Sequence, residues 1–513
     1  MPQITLRPHQ QKINDFLTQQ PFGAVFVDMG GGKTLSILEL FNQIRPAGHI
    51  LLIAPPNIAR STWVDEIDKW GYSVRVVSLV EDERGRKLTR EQRYALYEQI
   101  PNEPASFYLI SRNLVEDLVS AMPTTLVSNG TGRRTRVPIW PFPTVVVDES
   151  QSFKSSDSSR FKALASVRPA ISRMALLTGT PMPNGYEDLW SQIYLLDMGA
   201  SLGTKEQYMA RYFVPDRYVK GRPVSYRLIP GADKQIQQAI RHLCFTADNL
   251  DLGLPEMIEK RHDVQMDPEA MKMYLHFRKK QYIKLSDGHM IDSKSAGVLR
   301  SRLLQFASGT LYINEQYQYI VTHEAKSREL SRIMTTEVDT PALLVYRTRP
   351  EKRVIQQTMR DLGIQCEVFD GSRKMLQRWN DRQIQTMIIH PDSAGHGLNL
   401  QYGGRHIIWY ALPDSSEQWK QTNRRLHRPG QTEQVIVHYL ITRSTIDATQ
   451  PARLDEKISR EQQFKEAMMD EDPNLSVVGP ITDSTDSNSD TGDFDITDDL
   501  DLSGLGQFSP ISL

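Results

Sequence analysis

The 513-residue chain has an ordinary globular composition, 39% hydrophobic and 24% charged, and this length predicts about three domains. The two cysteines, Cys244 and Cys366, exclude a disulfide framework, a disulfide-linked partner and a Cys-rich metal site. No apolar run approaches the roughly 20 residues of a membrane span, and residues 1–5 lack the features of an export signal. We therefore expect a cytoplasmic protein with no signal peptide, transmembrane segment or membrane partner.

The formal net charge of −1 combines a basic body with an acidic tail. Residues 470–513 contain eleven acidic residues and no Lys or Arg, which leaves 61 basic and 51 acidic residues in the rest. A basic body is compatible with a nucleic-acid partner and equally with a soluble enzyme. The tail has few large apolar residues, so we expect it to be disordered.

A glycine-rich loop follows the first apolar strand pattern, at 25–27, and precedes an amphipathic helical pattern that begins at Leu35. Glycine lets backbone N–H groups close around a polyphosphate. Lys33 would reach the terminal phosphates and the Thr34 hydroxyl would bind Mg²⁺. The usual loop has Gly six residues before the Lys, where this chain has Val27, so a flexible Gly-rich turn is the alternative. The loop is Asp28-Met29-Gly30-Gly31-Gly32-Lys33-Thr34.

Strand patterns alternate with helical patterns in two separate parts of the chain. Such alternation predicts two parallel sheets with crossover helices. Between about 199 and 324 the alternation lapses, and charged helical patterns predict a helical insertion or linker. The strand patterns lie at 50–54, 74–77, 107–110, 144–147 and 174–177, and then at 342–346, 366–369, 386–389, 406–410 and 435–441.

Residues 123–143 interrupt the first set of strands. They are rich in Pro, Gly, Ser and Thr and carry Arg133, Arg134, Arg136 and Trp140. One interpretation is a solvated loop. The other is a projecting hairpin whose basic and aromatic side chains contact nucleic acid, or act as a wedge between strands. Both stay open.

Two acids end the strand pattern at 144–147. Asp148 would hold Mg²⁺, and Glu149 would orient and deprotonate the attacking water. Neighbouring acids at a strand end are common by chance. The interpretation therefore depends on the phosphate loop that precedes them.

A basic string, 421–431, lies in the second set of strands. Arg425 and Arg428 are three residues apart, so a helical turn would direct both the same way. A pair of guanidinium groups suits the charge on a transferring phosphoryl group. The alternative is a solvated basic helix.

Together these motifs resemble the helicase superfamily 2 motors, and among them the Swi/Snf-like ATPases, in the compact form common in phage and bacteria. The resemblance covers roughly residues 4–445, in the family's order. The matching strings are Leu6-Arg7-Pro8-His9-Gln10, Asp28 to Thr34, Ile53-Ala54-Pro55-Pro56 with Trp63 and Trp70, Leu176-Leu177-Thr178-Gly179-Thr180-Pro181, Ser393-Ala394-Gly395-His396-Gly397-Leu398-Asn399-Leu400 and Gln421 to Gln431.

The resemblance implies ATP and Mg²⁺ as cofactors, with Lys33, Glu149, Arg425 and Arg428 as the catalytic residues. It adds Gln10, Gly397 and Asn399 as nucleotide contacts. Thr178, Gly179, Thr180 and Gln421 would couple the ATP site to lobe closure. One departure is that the family usually has Ala-His after the Asp-Glu pair, where this chain has Ser150-Gln151. We therefore expect coupling from that position to differ.

The implied fold class is α/β, with two RecA-like parallel-sheet ATPase lobes in tandem, a helical insertion between them and a disordered acidic C-terminal tail. The expected divisions are 1–198 for the first lobe, 199–324 for the insertion or linker, 325–450 for the second lobe, 451–469 for a C-terminal helix and 470–513 for the tail.

The implied function is a DNA-dependent ATPase that moves along or remodels duplex or branched DNA in a bacterial or phage-infected cell. One alternative is an unwinding helicase that acts on single-strand DNA or on RNA. Another is an ATP-gated clamp that binds DNA or a partner and does not travel. The tail would solubilise the chain, bind a protein partner or inhibit the motor. The nucleic-acid contacts carried over by resemblance are Pro56, Ser111, Arg112, Arg347, Thr348 and Ser393.

Overall fold

The computed structural model describes residues 4–56, 58–128, 134–219, 221–247, 253–284, 290–292, 295–314, 316–394 and 398–469. These residues form two α/β lobes in tandem. The first lobe contains α1 (Pro8–Gln19), β1 (Phe22–Val27), α2 (Lys33–Ile44), β2 (Ile50–Ala54), α3 (Trp63–Trp70), β3 (Val76–Ser78), α4 (Arg90–Gln99), β4 (Phe107–Ser111), α5 (Val115–Ala121), β5 (Thr124–Ser128), β6 (Arg134–Pro138), β7 (Thr144–Asp148), α6 (Ser159–Val167), β8 (Arg173–Thr178), α7 (Leu189–Asp197), α8 (Lys205–Tyr212), β9 (Phe213–Val219), β10 (Arg222–Leu228), α9 (Ala232–Ile240) and β11 (Cys244–Ala247).

The second lobe follows without a long break in secondary structure. It contains β12 (Ile258–Val264), α10 (Pro268–Lys280), β13 (Tyr282–Lys284), β14 (Met290–Asp292), α11 (Ala296–Ala307), β15 (Thr310–Tyr312), β16 (Tyr319–Val321), α12 (Ala325–Thr336), β17 (Ala342–Val345), α13 (Arg349–Asp361), β18 (Cys366–Val368), α14 (Arg373–Asn380), β19 (Thr386–Ile389), α15 (Pro391–Ala394), β20 (His406–Trp409), α16 (Ser416–Asn423) and β21 (Ile436–Thr442), and α17 (Gln450–Met469) ends the described chain.

The first lobe is built on a seven-stranded sheet in the order β11-β1-β8-β7-β2-β4-β3. Every neighbouring pair in it is parallel. Its central strands are buried on both faces, as helices cover each side. In β1, Ala24 and Phe26 pack into the core on one face, while Val25 and Val27 pack on the other. The continuous apolar strands in the sequence follow from this double burial.

The second lobe has a six-stranded parallel sheet in the order β12-β21-β20-β17-β19-β18. Alternate residues of β17 again serve two cores, with Leu344 on one face and Leu343 and Val345 on the other. The expected fold class, two parallel-sheet lobes in tandem, is therefore confirmed.

The region between the predicted lobes differs from the sequence prediction of a helical insertion at 199–324. Strand β11 pairs with β1 and completes the first sheet, whereas β12 pairs with β21 and forms an edge of the second. The lobes therefore divide between Ala247 and Ile258. Five consecutive polar residues of β12, 259–263, explain the difference. An edge strand with one half-buried face lacks the continuous apolar pattern of a central strand.

Helix α17 contacts both lobes. Leu454, near its start, packs in the core of the second lobe, while Phe464 and Met468 pack in the core of the first. The ring of Phe464 lies 6.1 Å from that of Phe26 in β1. Because the helix spans the division, it holds the two lobes side by side.

Three histidines form a row across the second sheet. His262 Nε2 lies 3.0 Å from His438 Nδ1, and His438 Nε2 lies 3.0 Å from His406 Nδ1. Arg332 donates to His262 Nδ1 at 3.1 Å, and a guanidinium cannot accept. The proton of each imidazole must therefore sit on Nε2, and His406 donates to Asp339 Oδ1 at 2.8 Å. All three rings are neutral in this arrangement.

Candidate active site between the two lobes

The phosphate loop lies between β1 and α2, as the sequence predicts. Gly30 has φ of 82° and Gly32 has φ of 73°, in the left-handed region that favours glycine. A Cβ atom on Gly32 would lie 2.1 Å from Nε2 of Gln10. The Gln10 amide donates to the Gly32 carbonyl at 3.2 Å. The backbone conformation favours glycine here, and a side chain at this position would also displace the Gln10 amide from the Gly32 carbonyl.

Lys33 begins α2, and its ammonium group is held by the loop that it follows. Its Nζ donates to the carbonyls of Val27 at 2.7 Å and Asp28 at 3.3 Å. Burial lowers the pKa of Lys33, while the carboxylates of Glu149 and Asp148 act in the opposite direction. The ammonium therefore lies beside both acids, where a terminal phosphate would compete for it.

Asp148 ends β7 in a buried position with two defined hydrogen bonds. Its Oδ2 accepts from the indole Nε1 of Trp63 at 2.9 Å, and its Oδ1 accepts from the Glu149 backbone N–H at 3.0 Å. Burial raises the pKa of Asp148 to about 6, and the neighbouring Glu149 charge adds to this shift. The sequence named Trp63 only as part of a string that resembles the family, whereas here it is fully buried and orients an acid of the site.

Glu149 follows in a strained backbone conformation. Its φ of 54° is positive, which is unusual for a residue with a side chain and costs about 1–3 kcal/mol. The side chain is buried, and its Oε2 accepts from Gln151 Nε2 at 2.9 Å. Strain of this kind is retained where the surrounding structure needs a side chain in one direction, and here it directs Glu149 toward the cavity between the lobes.

Gln151 connects this acid to the second lobe. Its Nε2 donates to Glu417 Oε1 in α16 at 2.7 Å, and Gln421 Nε2 donates to the same oxygen at 3.1 Å. Burial raises the pKa of Glu417, and the Glu149 charge acts in the same direction. The departure seen in the sequence at Ser150-Gln151 thus places an amide between two carboxylates of different lobes. Sequence reasoning missed Glu417, which no motif singled out.

Arg425 and Arg428 reach the same cavity from the second lobe, but not from a helix. Helix α16 ends at Asn423, so the predicted helical turn through both arginines is wrong. Both guanidinium groups instead donate to the Leu398 carbonyl, at 3.5 Å and 3.1 Å. Burial lowers the pKa of Arg425 to about 9, and the Arg428 charge adds to the shift. The following Pro429-Gly430, with Gly430 at φ of 100°, is incompatible with a continued helix.

A cavity of about 520 Å³ lies between the lobes and brings most of the predicted site together. This volume is within the range of small-molecule and cofactor sites. Residues that the sequence did not assign to the ATP site also line it, including Trp70, Gln401, Tyr402 and Arg424. Trp70 and Arg424 belong to strings that resemble the family without an assigned role, and Gln401 and Tyr402 directly follow such a string. The predicted residues in its wall are Gln10, Met29, Gly30, Gly31, Gly32, Lys33, Thr34, Asp148, Glu149, Asn399, Arg425 and Arg428.

The residues predicted to couple ATP to lobe closure lie beside this cavity. Thr178 is fully buried, and its Oγ1 accepts from the Thr180 N–H at 2.9 Å. A Cβ atom on Gly179 would lie 3.3 Å from Asp28 Cα, so this loop packs directly against the phosphate loop. Gly179 and Thr180 also line a smaller cavity with Lys465 of α17, which forms an ion pair with Asp28.

The predicted nucleic-acid contacts have mixed outcomes. Trp140 is only 9% exposed and packs edge-to-face on Phe142 at 5.1 Å, which disfavours the interpretation in which it contacts nucleic acid. Ser111 is buried and caps a short turn at Asn113 N–H, 3.4 Å away. Thr348 caps α13 by accepting from the Glu351 N–H. Both hydroxyls have structural partners that the motif comparison did not anticipate.

Other predicted contacts remain accessible in part. Arg136 is exposed on the β5–β6 hairpin, which confirms the hairpin form of that insertion, while Pro56 and Ser393 are half-buried. Burial lowers the pKa of Arg112, and Arg347 donates to the Leu412 carbonyl at 3.3 Å. Arg133 and Gly397, the Arg134 side chain and the tail at 470–513 lie outside the described residues.

The architecture and the cavity define a class of protein before any comparison. Two parallel-sheet lobes meet at a phosphate loop, two strand-end acids and two arginines, as in two-lobed helicase-type ATPases. In the parts of the chain that the structure describes, every helix is too short or too polar to cross a membrane.

The SNF2-related domain family matches residues 17–316, more than half of the chain, and the chain belongs to this family. It is therefore an ATP-hydrolysing enzyme of the helicase-like class, as predicted. Protein p41 of Acyrthosiphon pisum secondary endosymbiont phage 1 is 26% identical over 487 residues, covering 91% of this chain and 99% of that protein.

Larger proteins are also similar. The Bacillus subtilis ATP-dependent helicase/translocase YwqA is 24% identical over 490 residues, covering 88% of this chain and 48% of YwqA. This chain thus spans about half of YwqA's length. A solved Sulfolobus solfataricus SWI2/SNF2 ATPase core in complex with dsDNA is 20% identical, with a TM-score of 0.38 over 90% of this chain and 92% of that one.

Proposed function

We propose that this enzyme is an ATP-dependent DNA translocase that moves along or remodels duplex or branched DNA. The observation that carries the proposal is the cavity between the lobes, in which the first lobe contributes Lys33, Asp148 and Glu149 and the second contributes Arg425 and Arg428. A site divided between two lobes is complete only when they are close together. Binding and hydrolysis of ATP can then drive closing and reopening.

The chemistry follows from the side chains that face the cavity. Lys33 neutralises terminal phosphate oxygens, and Glu149 orients and deprotonates the attacking water. Arg425 and Arg428 stabilise the charge that develops on the transferring phosphoryl group, and their guanidinium groups match its geometry. The Thr34 hydroxyl and the Asp148 carboxylate supply the hard oxygen ligands that Mg²⁺ prefers, and Mg²⁺ bound there would neutralise phosphate charge.

Coupling between the lobes runs through Gln151 in this proposal. Its amide group is the shared donor to Glu149 and Glu417, at 2.9 Å and 2.7 Å. Separation of the lobes would remove Glu417 from Gln151 and free the amide to rotate. Glu149 would then lose the partner that holds it toward the cavity, so hydrolysis would be efficient only in the closed arrangement.

A DNA partner is supported by charge and by the names of relatives. The chain without its tail carries 61 basic and 51 acidic residues. The similar mouse proteins include a DNA annealing helicase and endonuclease and a DNA excision repair protein. Phosphate contacts dominate such binding and give little base preference. We favour duplex DNA as the track because the resemblance to the Swi/Snf-like ATPases implies it.

The direct experiment measures steady-state ATP hydrolysis with single-stranded, duplex and forked DNA and with RNA, using Glu149→Gln as the control for background. Duplex length is varied in the same series. We expect stimulation by duplex DNA that grows with length, because a travelling enzyme hydrolyses ATP for longer on a longer track.

Other results select the alternatives. Stimulation by single strands or RNA alone would indicate an unwinding helicase. Stimulation by duplex DNA that is independent of its length would indicate a clamp that does not travel. No stimulation by any ligand above the control would overturn the assignment of a nucleic-acid partner.

A further inference from the structure

The β9–β10 hairpin, residues 213–228, projects from the first lobe and takes no part in the cavity between the lobes. Its two strands pair only with each other, in a two-stranded antiparallel sheet. Along β9, residues 215–218 are all exposed, and these include side chains on both faces of the strand. We call this hairpin the arm.

The base of the arm is firmly anchored. Phe213 is buried, and its ring packs edge-to-face on Tyr208 of α8 at 5.3 Å. The Ile229 N–H, just beyond the arm, donates to the Tyr212 carbonyl at 2.9 Å. The arm is therefore held at a fixed base, while residues 215–218 and 221–223 of its outer part are exposed. An isolated two-stranded hairpin is marginally stable in water, so such a segment gains order when a partner binds.

The side chains of the outer arm are of two kinds. Arg217, Arg222 and Arg227 are exposed, and Tyr218 and Tyr226 are 62% and 37% exposed. Residues 213–228 carry four basic side chains and one acid, a net charge of +3. The Ser225 hydroxyl bridges this acid, Asp216, and Arg217, at 3.2 Å and 3.3 Å. Two of the exposed arginines thus have no carboxylate among the contacts found for the arm's described residues.

We propose that the arm is a nucleic-acid contact of this enzyme, in which its arginines bind backbone phosphates and its tyrosines stack on sugars or unpaired bases. Planar guanidinium groups match phosphate oxygens, and a basic surface that also exposes aromatic side chains is typical of sequence-independent strand binding. The proposal rests on the proposed function and extends it, since it assigns a nucleic-acid contact outside the cavity between the lobes.

The arm differs from the β5–β6 hairpin of the same lobe in this respect. That hairpin exposes the apolar side chains Leu126, Val127 and Ile139, at 59%, 46% and 51%. Its aromatic residue, Trp140, is buried at the base. Aromatic and basic side chains are exposed together only on the arm, among the described hairpins of the first lobe. The features expected of residues 123–143 therefore occur at 213–228.

The test replaces Arg217, Arg222 and Arg227 together with alanine in the full chain. Binding of fluorescent single-stranded and duplex DNA is measured without ATP at several salt concentrations. We expect affinity to fall about tenfold or more at 50 mM salt, and the slope of log K against log salt to decrease by about 1 to 3. Basal ATP hydrolysis and the melting temperature should not change, because these residues lie outside the cavity and the core.

A matched control removes three exposed basic residues next to the far edge strand β3, namely Arg84, Lys87 and Arg90. Its net charge equals that of the arm variant. A loss of DNA affinity that occurs only in the arm variant therefore depends on where the charges lie, not on the net charge. The double variant Tyr218→Ala/Tyr226→Ala is a second test, in which single-strand affinity should fall about tenfold.

The outcomes separate this proposal from the proposed function. If the unaltered chain binds no nucleic acid, the proposed function fails. If it binds DNA and the arm variants bind equally well, the arm proposal alone is overturned. Tighter DNA binding by the arm variants would also overturn it, and would indicate that an acidic segment such as residues 470–513 occupies the arm.

Discussion

The two lobes meet the cavity with different kinds of side chain. The first lobe contributes an ammonium group and two carboxylates that it holds itself, as Trp63 binds Asp148 and Gln151 binds Glu149. The second lobe contributes two arginines, both held by its Leu398 carbonyl. Each lobe thus orients its own groups, but neither holds a complete site. We infer that the first lobe determines the chemistry and the second determines when it proceeds.

The largest effect should come from the base in the first lobe. Glu149→Gln keeps the shape of the side chain and removes its ability to accept a proton. We expect kcat to fall by about 10² to 10⁴, while ATP binding persists, because Lys33 and the loop are unchanged. Single-turnover hydrolysis and fluorescent nucleotide binding check this. A variant that retains more than a tenth of the unaltered rate would exclude Glu149 as the base.

Removal of an arginine in the second lobe should have a slightly smaller effect of the same type. Arg425→Ala removes charge that faces the transferring phosphoryl group, so kcat should fall by about 10² to 10³ with little change in nucleotide affinity. Arg360→Ala, at an exposed position of α13 in the same lobe, is the control. An Arg425 variant with normal kcat and weakened ATP binding would assign the residue to binding alone.

The contact between the lobes should have an intermediate effect. Gln151→Ala removes the shared donor, and we expect kcat to fall about tenfold with KM for ATP nearly unchanged. Glu417→Ala should give the same result from the opposite lobe. The matched control is Glu417→Gln, whose carbonyl oxygen still accepts from Gln151, and it should recover most of the rate. If both residues act through this one contact, the losses of kcat in Gln151→Ala/Glu417→Ala should be non-additive. Additive losses in this double variant would contradict that account.

The smallest effect concerns stability of the second lobe rather than catalysis. Burial lowers the pKa of His262, His406 and His438, that of His438 to about 3. The groups that face the row are the cations of Lys260, Arg332 and Arg405 and the carboxylates of Glu329, Glu337 and Asp339.

An unfolded histidine has a pKa of about 6.5, so the unfolded chain binds more protons than the folded one below that value. The stability that the neutral histidine row contributes to the second lobe is therefore fully present above pH 6.5 and is lost as the pH falls. Asp148 in the first lobe has a pKa raised to about 6, so its contribution to the pH dependence of stability has the opposite sign.

Urea unfolding between pH 7.5 and pH 5 measures this dependence. Because carboxylates with a raised pKa, such as Asp148 and Glu417, contribute a pH dependence of the opposite sign, the informative quantity is the difference between variants. His438→Leu should flatten the fall with pH, whereas His242→Gln, an exposed histidine of the first lobe, should leave it unchanged. Equal pH dependence in both variants would contradict the neutral histidine row.

The sequence predicted the parts of the molecule that depend on local pattern. Buried parallel strands appear as continuous apolar runs, and the phosphate loop needs glycines in fixed positions, so the two parallel sheets, Lys33 and the strand-end acids followed from local pattern. The bounds of the lobes did not, because β11 and β12 lie in the predicted insertion. The edge strand β12 was missed, because its one buried face gives only a weak alternating pattern in a charged segment.

Contacts between distant parts of the chain could not be predicted in this way. Gln151 and Glu417 are 266 residues apart, and no motif connects them. Trp63 was recognised only as part of a family string, and nothing in that string indicated that its indole N–H binds Asp148, 85 residues away. Trp140 was judged by composition, which does not distinguish an exposed aromatic side chain from a buried one.

The most direct test of the account is displacement of a triplex-forming strand from duplex DNA. A third strand is placed at the end of a long duplex, and its release is followed by fluorescence in the presence of ATP. We expect release that requires ATP hydrolysis and is absent with Glu149→Gln. The lag before release should grow with the length of duplex ahead of the triplex. Duplex-stimulated hydrolysis without any release would contradict translocation and establish a clamp that does not travel.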